Sequence, residues 1–366
     1  MYVVRPFITY RAIEIDAGAT AIGLIGAIYA LFPVLLALKF GSWVGKYGEG
    51  KFLVVGTFSL IVSSTALIYS HDIYSLAAAT AFAGLAHLGL MVGGQTMVAL
   101  RAPKSDYSKL FGYYTFSASL GQMMGPVIAG LLAGSLANGM PKNSSNAFIF
   151  AILLSTLALF PTFSWRNNSP TVAAAEEQSN TWAAAKSMLA RREISLAVFI
   201  SLAISTTGDL LVIFLPLLGT ERNIDPALIG LILSLRALGS MLSRFSLGFV
   251  SKRISDRDLL LSTTTIAAAA LALMVYTNSP ILLGALVFVS GVMLGFGQPL
   301  TMAVISHRTK ADERALAISA RLTGNRLGQF VLPIIAGLLT SAAGAGAAFW
   351  SMAALLSLGF LAARSE

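Results

Sequence analysis

Cysteine is absent from the 366-residue chain, and histidine occurs three times. Disulfides, thiolate metal sites and cysteine nucleophiles are therefore excluded. Charge is scarce as well, at 11% of residues, against roughly 25% in soluble domains. The sequence holds no paired-histidine metal spacing and no Gly-rich phosphate loop closed by Lys and Ser or Thr, which are the usual marks of metal-dependent hydrolysis and nucleotide-driven pumping. We expect no metal, no cofactor and no enzyme chemistry. What is abundant is apolar: hydrophobic residues make up 56%, and 33 glycines add to them. That leaves too little polar surface to clothe a globule of this length. At ~20 apolar residues per crossing, such a chain threads a bilayer about eleven times.

Apolar stretches predict spans near 21–40, 52–70, 76–100, 110–135 and 146–164, then 194–219, 227–250, 259–277, 280–306, 314–342 and 345–363. The polar segment 165–193 separates five from six. It reads as a cytoplasmic linker, with a short basic amphipathic helix lying on the membrane surface. Breaks such as Asn278-Ser279-Pro280 and Gly344-Ala345-Gly346 are short and rich in turn residues, so neighbouring spans are antiparallel helices. Unalternating runs of ~20 residues exclude a β-barrel.

Basic residues fall in every second break. Lys39, Lys46 and Lys51 occupy one, Arg101, Lys104 and Lys109 another, and Arg244, Lys252, Arg253 and Arg257 a third, whereas the alternate breaks hold Lys142 and Arg222. The positive-inside rule places the first set, and with it the carboxyl terminus, in the cytoplasm of a bacterial cell with the chain in its inner membrane. The net charge of +9 is then a record of orientation, with no nucleic acid as partner. Arg5 and Arg11 are assigned to the outer side with residues 1–19. There, Tyr2 to Ile8 read as the outer end of a helix whose earlier turns are absent, followed by a polar loop containing Glu14 and Asp16.

Two well-separated segments match at a constant offset of 207 residues. Gly41 and Lys46 fall on Gly248 and Arg253, and Gly121-Gln122, Pro126 and Gly130 fall on Gly328-Gln329, Pro333 and Gly337. A common register over such a distance indicates duplication, a recurrent transporter device. The chain thus reads as an all-α 6+6 bundle with about eleven complete helices: an N-terminal half at 1–164, the linker at 165–193 and a C-terminal half at 194–366.

These residues resemble the major facilitator superfamily. The loop Gly41-Ser-Trp-Val-Gly45-Lys46-Tyr-Gly48-Glu-Gly-Lys51 is similar to the family's loop pattern, with glycine where an aspartate is usual. The segment Gly121-Gln-Met-Met-Gly125-Pro126-Val-Ile-Ala-Gly130 resembles the glycine-proline pattern of the fifth helix, which the family associates with export in exchange for protons. The resemblance implies a transporter working by alternating access. In purely physical terms, glycines 121, 125 and 130 and Pro126 permit close helix approach and bending. Lys46 and Lys51 serve either as latches on helix ends or as plain topology signals.

Ionisable groups within spans are expensive and so informative. Asp209, Arg236 and Arg326 count to mid-depth at 1.5 Å per residue, with Arg321 and His87 also inside spans. We expect Asp209 to alternate between an ion pair with Arg236 or Arg326 and a protonated state; a permanent structural bridge is the competing reading. His87 is either a proton group or a hydrogen-bonded packing residue. Gln95, Gln122, Gln298, Asn325 and Tyr114 are candidate cavity-lining groups. The function that follows is a secondary transporter, a monomer in the lipid bilayer, moving a small organic molecule, with protons as coupling ion and efflux as direction. The alternatives are a proton-linked uptake symporter and a non-transporting, transporter-like receptor or defective product.

Overall fold

The computed structural model describes residues 1–101, 103, 106–136, 139–165, 190–309 and 314–364. The regular structure among them is helical. The first group of helices is α1 (Val4–Glu14), α2 (Ala19–Tyr47), α3 (Glu49–Ile68), α4 (Ile73–Arg101), α5 (Tyr107–Ala133) and α6 (Ser145–Trp165). The second is α7 (Arg192–Glu221), α8 (Pro226–Val250), α9 (Asp256–Met274), α10 (Pro280–Arg308), α11 (Arg314–Ala343) and α12 (Gly346–Arg364). Each of the eleven predicted spans is one helix, α2 to α12. Ten are long and apolar enough to cross a membrane, and α12 contributes a shorter apolar stretch, Gly346–Leu361. The predicted surface helix within the linker lies outside the described residues.

The breaks end helices for identifiable reasons. Asp225, Ser255 and Ser279 cap α8, α9 and α10 by accepting hydrogen bonds from the backbone N–H groups of Ala227, Asp258 and Leu282, and Pro226 and Pro280 open their helices. Gly48 alone joins α2 to α3, at φ 89°, a left-handed conformation that costs any residue with a Cβ.

The amino-terminal reading needs correction. The helix does not stop before a polar loop; it runs on to Glu14. Along α1, Val4, Phe7, Tyr10 and Ala12 are at most 1% exposed, enclosed by helices of both groups, most extensively α7. Since α1 ends beside the α3 and α6 termini away from the Lys- and Arg-rich loops, its first residues reach mid-depth.

At that end, charges complete helix termini. Arg11 donates to the carbonyls of Leu67 and Ile68 at the close of α3, and Glu14 accepts from Ser144 at 2.7 Å beside the start of α6. In the second group Arg222 donates to Met274, Val275 and Thr277 past the end of α9, and Glu221 accepts the Ala345 N–H at 3.0 Å before α12. Cations on C-terminal carbonyls and anions at N-termini both suit the helix dipole. Glu14 and Glu221 are related by the 207-residue offset, as are Leu67 and Met274.

The two groups meet along α2–α11 and α5–α8. A Cβ on Gly130 of α5 would lie 2.7 Å from the Pro226 carbonyl oxygen of α8, and one on Gly337 of α11 would lie 2.9 Å from that of Ala19 of α2. Gly230 and Gly23 face the carbonyls of Pro126 and Pro333 in the same manner. Every member of one contact maps onto the other at offset 207. Backbone therefore rests on backbone across both seams, toward the end opposite the basic loops.

Candidate functional site

The deepest charges meet where α1 and α7 touch. Arg5 Nη1 donates to Asp209 Oδ1 at 2.5 Å, with the two side chains 14% and 19% exposed. Counted from Glu14 and Glu221 at 1.5 Å per residue, Arg5 lies about 14 Å and Asp209 about 18 Å from that end of the bundle, near the middle of a ~30 Å hydrocarbon layer. The Arg5 guanidinium also stacks 4.6 Å over the Tyr29 ring centroid on α2, a cation–π contact. Tyr29 Oη and His87 Nδ1 on α4 are 2.9 Å apart. Tyr2 stands edge-on to His87, and Gln122 of α5 donates to the Tyr2 hydroxyl at 2.8 Å. One polar network thus draws on α1, α2, α4, α5 and α7. Gly121 and Gly125, predicted as packing glycines, admit Tyr2 and Val3 against α5.

The expectation for Asp209 changes here. Its ion-pair partner is Arg5, not Arg236 or Arg326. Depth counting missed Arg5 because it treated residues 1–19 as lying outside. The repeat register contained the signal: Glu14 falls on Glu221, which places Tyr2 on Asp209 and Arg5 at mid-span.

The remaining predicted residues divide between the centre and the packing around it. Arg236 lies against Gly208, where a Cβ would stand 3.4 Å from its Nη1. It interacts electrostatically with Asp209, Arg5 and Tyr2, and its Nε is buried without a partner. Arg326 donates to Gln329 at 2.9 Å, Gln329 donates to Ser205 at 3.1 Å, and the Arg326 charge is felt at Tyr29 and His87. Arg321, 5% exposed, is instead held inside the second group by Ser201 at 2.8 Å and Gln298 at 2.9 Å. Gln298 is therefore occupied as an acceptor. Asn325 is buried with its Oδ1 unpartnered, Tyr114 packs on Gly94, and Gln95 is exposed.

Of the loop motif residues, Gly48 makes the α2–α3 junction, and Lys46 Nζ lies 5.4 Å over Tyr47. Arg253 stacks 4.5 Å over Phe249, and nothing lies within 4 Å of a Cβ on Gly248. Gly328 presses on Leu202 and Thr206 of α7, as Gly121 faces Tyr2, just ahead of α1. Next to the ion pair, Arg5, Thr9, Tyr29 and Thr80 help line a pocket of about 20 Å³, room for one water molecule. No cluster of three or more His, Asp or Glu suited to a metal occurs among the described residues.

The profile of the Major Facilitator Superfamily matches residues 1–218 and 194–365. Multidrug resistance protein MdtG of Klebsiella pneumoniae (strain 342) is 22% identical over 331 residues, covering 89% of this chain and 79% of that protein. Multidrug resistance protein 1 of Bacillus subtilis (strain 168) is 26% identical over 147 residues, covering 40% of this chain, and the chain spans 38% of its length. A crystal structure of a mutant nucleoside transporter, NupG, superposes with a TM-score of 0.81 at 13% identity, covering 100% of this chain and 95% of that one. At that identity the likeness speaks for the fold.

Proposed function

The chain belongs to the Major Facilitator Superfamily, and on that premise we propose that it is a secondary active transporter exporting small organic molecules in exchange for protons. The observation that carries this reading is the Arg5–Asp209 pair. Asp209 is the acidic residue at mid-depth of the described helices; the other described acidic residues lie at helix ends or in connections. A carboxylate in that position is costly unless paired, and a proton can replace the pairing charge. Protonating Asp209 frees Arg5, loosens the α1–α7 contact and shifts the balance between two arrangements of the helix groups. The groups acting on the pair are Arg236, Tyr2, Tyr29 and His87; none is acidic, so no second carboxylate competes for the proton.

In this reading the two groups of six rock as halves about the central site, with 165–193 as their cytoplasmic connection. The Lys- and Arg-rich loops and the carboxyl terminus face the cytoplasm by the positive-inside rule, and the membrane is a bacterial inner membrane. The glycine contacts then close the outer side, and the arrangement is the one that receives cargo from within. The multidrug names of two relatives support export. The test is uptake into inside-out proteoliposomes of cationic, neutral and anionic fluorescent dyes under an imposed pH gradient. Dye accumulation should require the gradient, and Asp209→Asn should abolish it while leaving exchange of dye against dye intact. Undiminished gradient-driven flux in Asp209→Asn overturns proton coupling through this residue, and the absence of flux for every dye overturns the transporter.

A further inference from the structure

Cations outnumber anions at the centre. Arg5 acts on Tyr2, Tyr29 and His87, Arg326 on Tyr29 and His87, and Arg236 on Tyr2 and Asp209, the acidic member of the group. Three guanidiniums against one carboxylate leave a surplus of two positive charges. Asp209 is hydrogen-bonded to Arg5 at 2.5 Å and also acts on Arg236, so its single charge is shared and the surplus stands. Arg236 makes no hydrogen bond among the described residues, and its Nε is buried and unpartnered. Arg326 has a neutral partner, Gln329. The surplus continues toward the basic end. Arg244 lies two turns on from Arg236 along α8 and interacts with it and with Tyr2, and Arg321 of α11 is held by neutral Ser201, Gln298 and Thr301.

An arginine at membrane depth is costly, and an orphaned buried donor adds to that cost. Ionisable residues there pair with one another or with backbone carbonyls; Arg236 makes no such hydrogen bond, and Arg326 has the neutral Gln329. A guanidinium presents a planar fork of donors that matches carboxylate and phosphate oxygens. We propose that the central site takes a small organic anion, a carboxylate or a phosphate monoester, with Arg236 and Arg326 as its counter-ions. The inference rests on the transporter reading for the site's role as a cargo site, and on the charge census for the cargo's sign.

The test is a charge series on one ring. Phenyl phosphate, benzoate, benzamide and benzyltrimethylammonium, each at millimolar concentration, are compared by their effect on thermal unfolding of the purified full chain in detergent. Ligands that bind the folded state raise its midpoint. We expect the shift to rank phenyl phosphate above benzoate, with benzamide and benzyltrimethylammonium near zero. Arg236→Gln and Arg326→Gln should each weaken phenyl phosphate roughly tenfold or more, Arg326→Lys should restore part of the loss, and Lys142→Gln, on an exposed connection, should change nothing. A flat series, a preference for the cation, or an undiminished phenyl phosphate shift in the double glutamine variant overturns the proposal. Because binding is read without flux, the two readings fail separately. An anion preference with no gradient-driven transport removes the exporter and keeps the anion site. Gradient-driven export of a cationic dye with a flat series removes the anion site and keeps the exporter.

Discussion

Adding one methyl group at each seam, Gly130→Ala with Gly337→Ala, should wedge the closed end of the molecule apart. The new Cβ atoms would lie 2.7 Å from the Pro226 oxygen and 2.9 Å from the Ala19 oxygen. Both are about 0.6–0.8 Å inside the ~3.5 Å at which heavy atoms begin to attract. The obstructing atoms are main chain in packed helices, so no rotamer change relieves the clash, and α5–α8 and α2–α11 must separate. Overpacking of this kind costs roughly 1–3 kcal/mol per site, and the two seams are distinct enough for the costs to add. A total of about 2–6 kcal/mol weighs against the closed arrangement alone, because an arrangement open at that end relieves both clashes. Alternate conformers typically differ by a few kcal/mol, and each 1.4 kcal/mol is tenfold in population, so the open form should become a major species. Absence of cysteine makes the assay clean. Thr80 is 1% exposed, lines the small pocket beside Arg5, and has a hydroxyl without a partner, so Thr80→Cys supplies a quiet reporter. Its labelling by a membrane-impermeant maleimide from the side opposite the basic loops should rise at least tenfold in the double alanine background. Gly112→Ala, where nothing lies within 4 Å, should leave the rate unchanged. An unaltered rate in folded Gly130→Ala/Gly337→Ala protein refutes the idea that these contacts seal that end.

Removing one member of the central pair should destabilise more than removing both. Arg5→Gln leaves Asp209 buried without its partner, at a cost of about 3–5 kcal/mol, whereas Arg5→Gln/Asp209→Asn should recover most of it in denaturant titrations of the full chain. Arg222→Met deletes hydrogen bonds to three carbonyls near the α9 terminus and should lower the thermal midpoint more than Lys142→Met, by roughly 1.5–3 kcal/mol of stability. Gly48→Ala imposes a Cβ on φ 89°; a loss of about 1–2 kcal/mol is expected, with fraying read by hydrogen exchange at the α2–α3 junction. At the start of α4, hydrogen bonds from Ser75 and Tyr74 hold the Asp72 carboxyl below its ordinary value. The Asp72 cap is therefore in force above the ordinary carboxylate pKa and is lost as pH falls through the lowered native one. Amide exchange at Tyr74 and Ser75 should accelerate only in that acid range, and Asp72→Asn should blunt the effect.

The eleven spans were legible because hydrophobic length is a strong requirement in a bilayer, but the end of the first was not. The apolar stretch puts it near residue 40, whereas α2 runs on to Tyr47, so that of the segment read as a loop only Gly48 lies outside a helix. The glycine-proline pattern was legible because Gly130 and Pro126 are needed at a spot where backbone approaches backbone. Side-chain pairing was less so. Gln298 looked like a cavity group, yet it accepts from Arg321, and nothing in a one-dimensional pattern tells which face of α10 meets α11. Arg5 was hidden for a different reason. A short helix of eleven residues lacks the length that identifies a span, and its neighbour Glu14 suggested a loop until Glu14 could be seen tied to Ser144 and Arg11.

The duplication also explains where the chemistry sits. Contacts that shape the frame recur at offset 207: Gly84 presses on the Tyr29 carbonyl as Gly291 presses on that of Arg236, and the seam glycines exchange partners in the same way. The charged residues of the centre break that register. Arg5 falls on Val212, Asp209 on Tyr2, Arg236 on Tyr29, Arg326 on Ser119, and His87 on Leu294. On the proposed reading, two groups of helices that move against each other need equivalent seams, which accounts for Gly and Pro in both copies, whereas a single cargo on the axis between them has no such symmetry and would draw different groups from each copy. The residues that depart from the repeat while lying at its interface are therefore the ones to mutate for selectivity, and those that obey it are the ones to mutate for conformation. Exchanging the pair across the register, Tyr29→Arg with Arg236→Tyr, keeps the same two side chains on equivalent helices while giving up the Tyr29 contacts with Arg5 and His87. It should also move a positive charge from α8 to α2, beside Arg5. If charge at the centre acts only through its total, the phenyl phosphate shift survives the exchange. If Arg236 holds the anion by position, as its placement against Gly208 and Asp209 indicates, the affinity read from that shift falls at least tenfold.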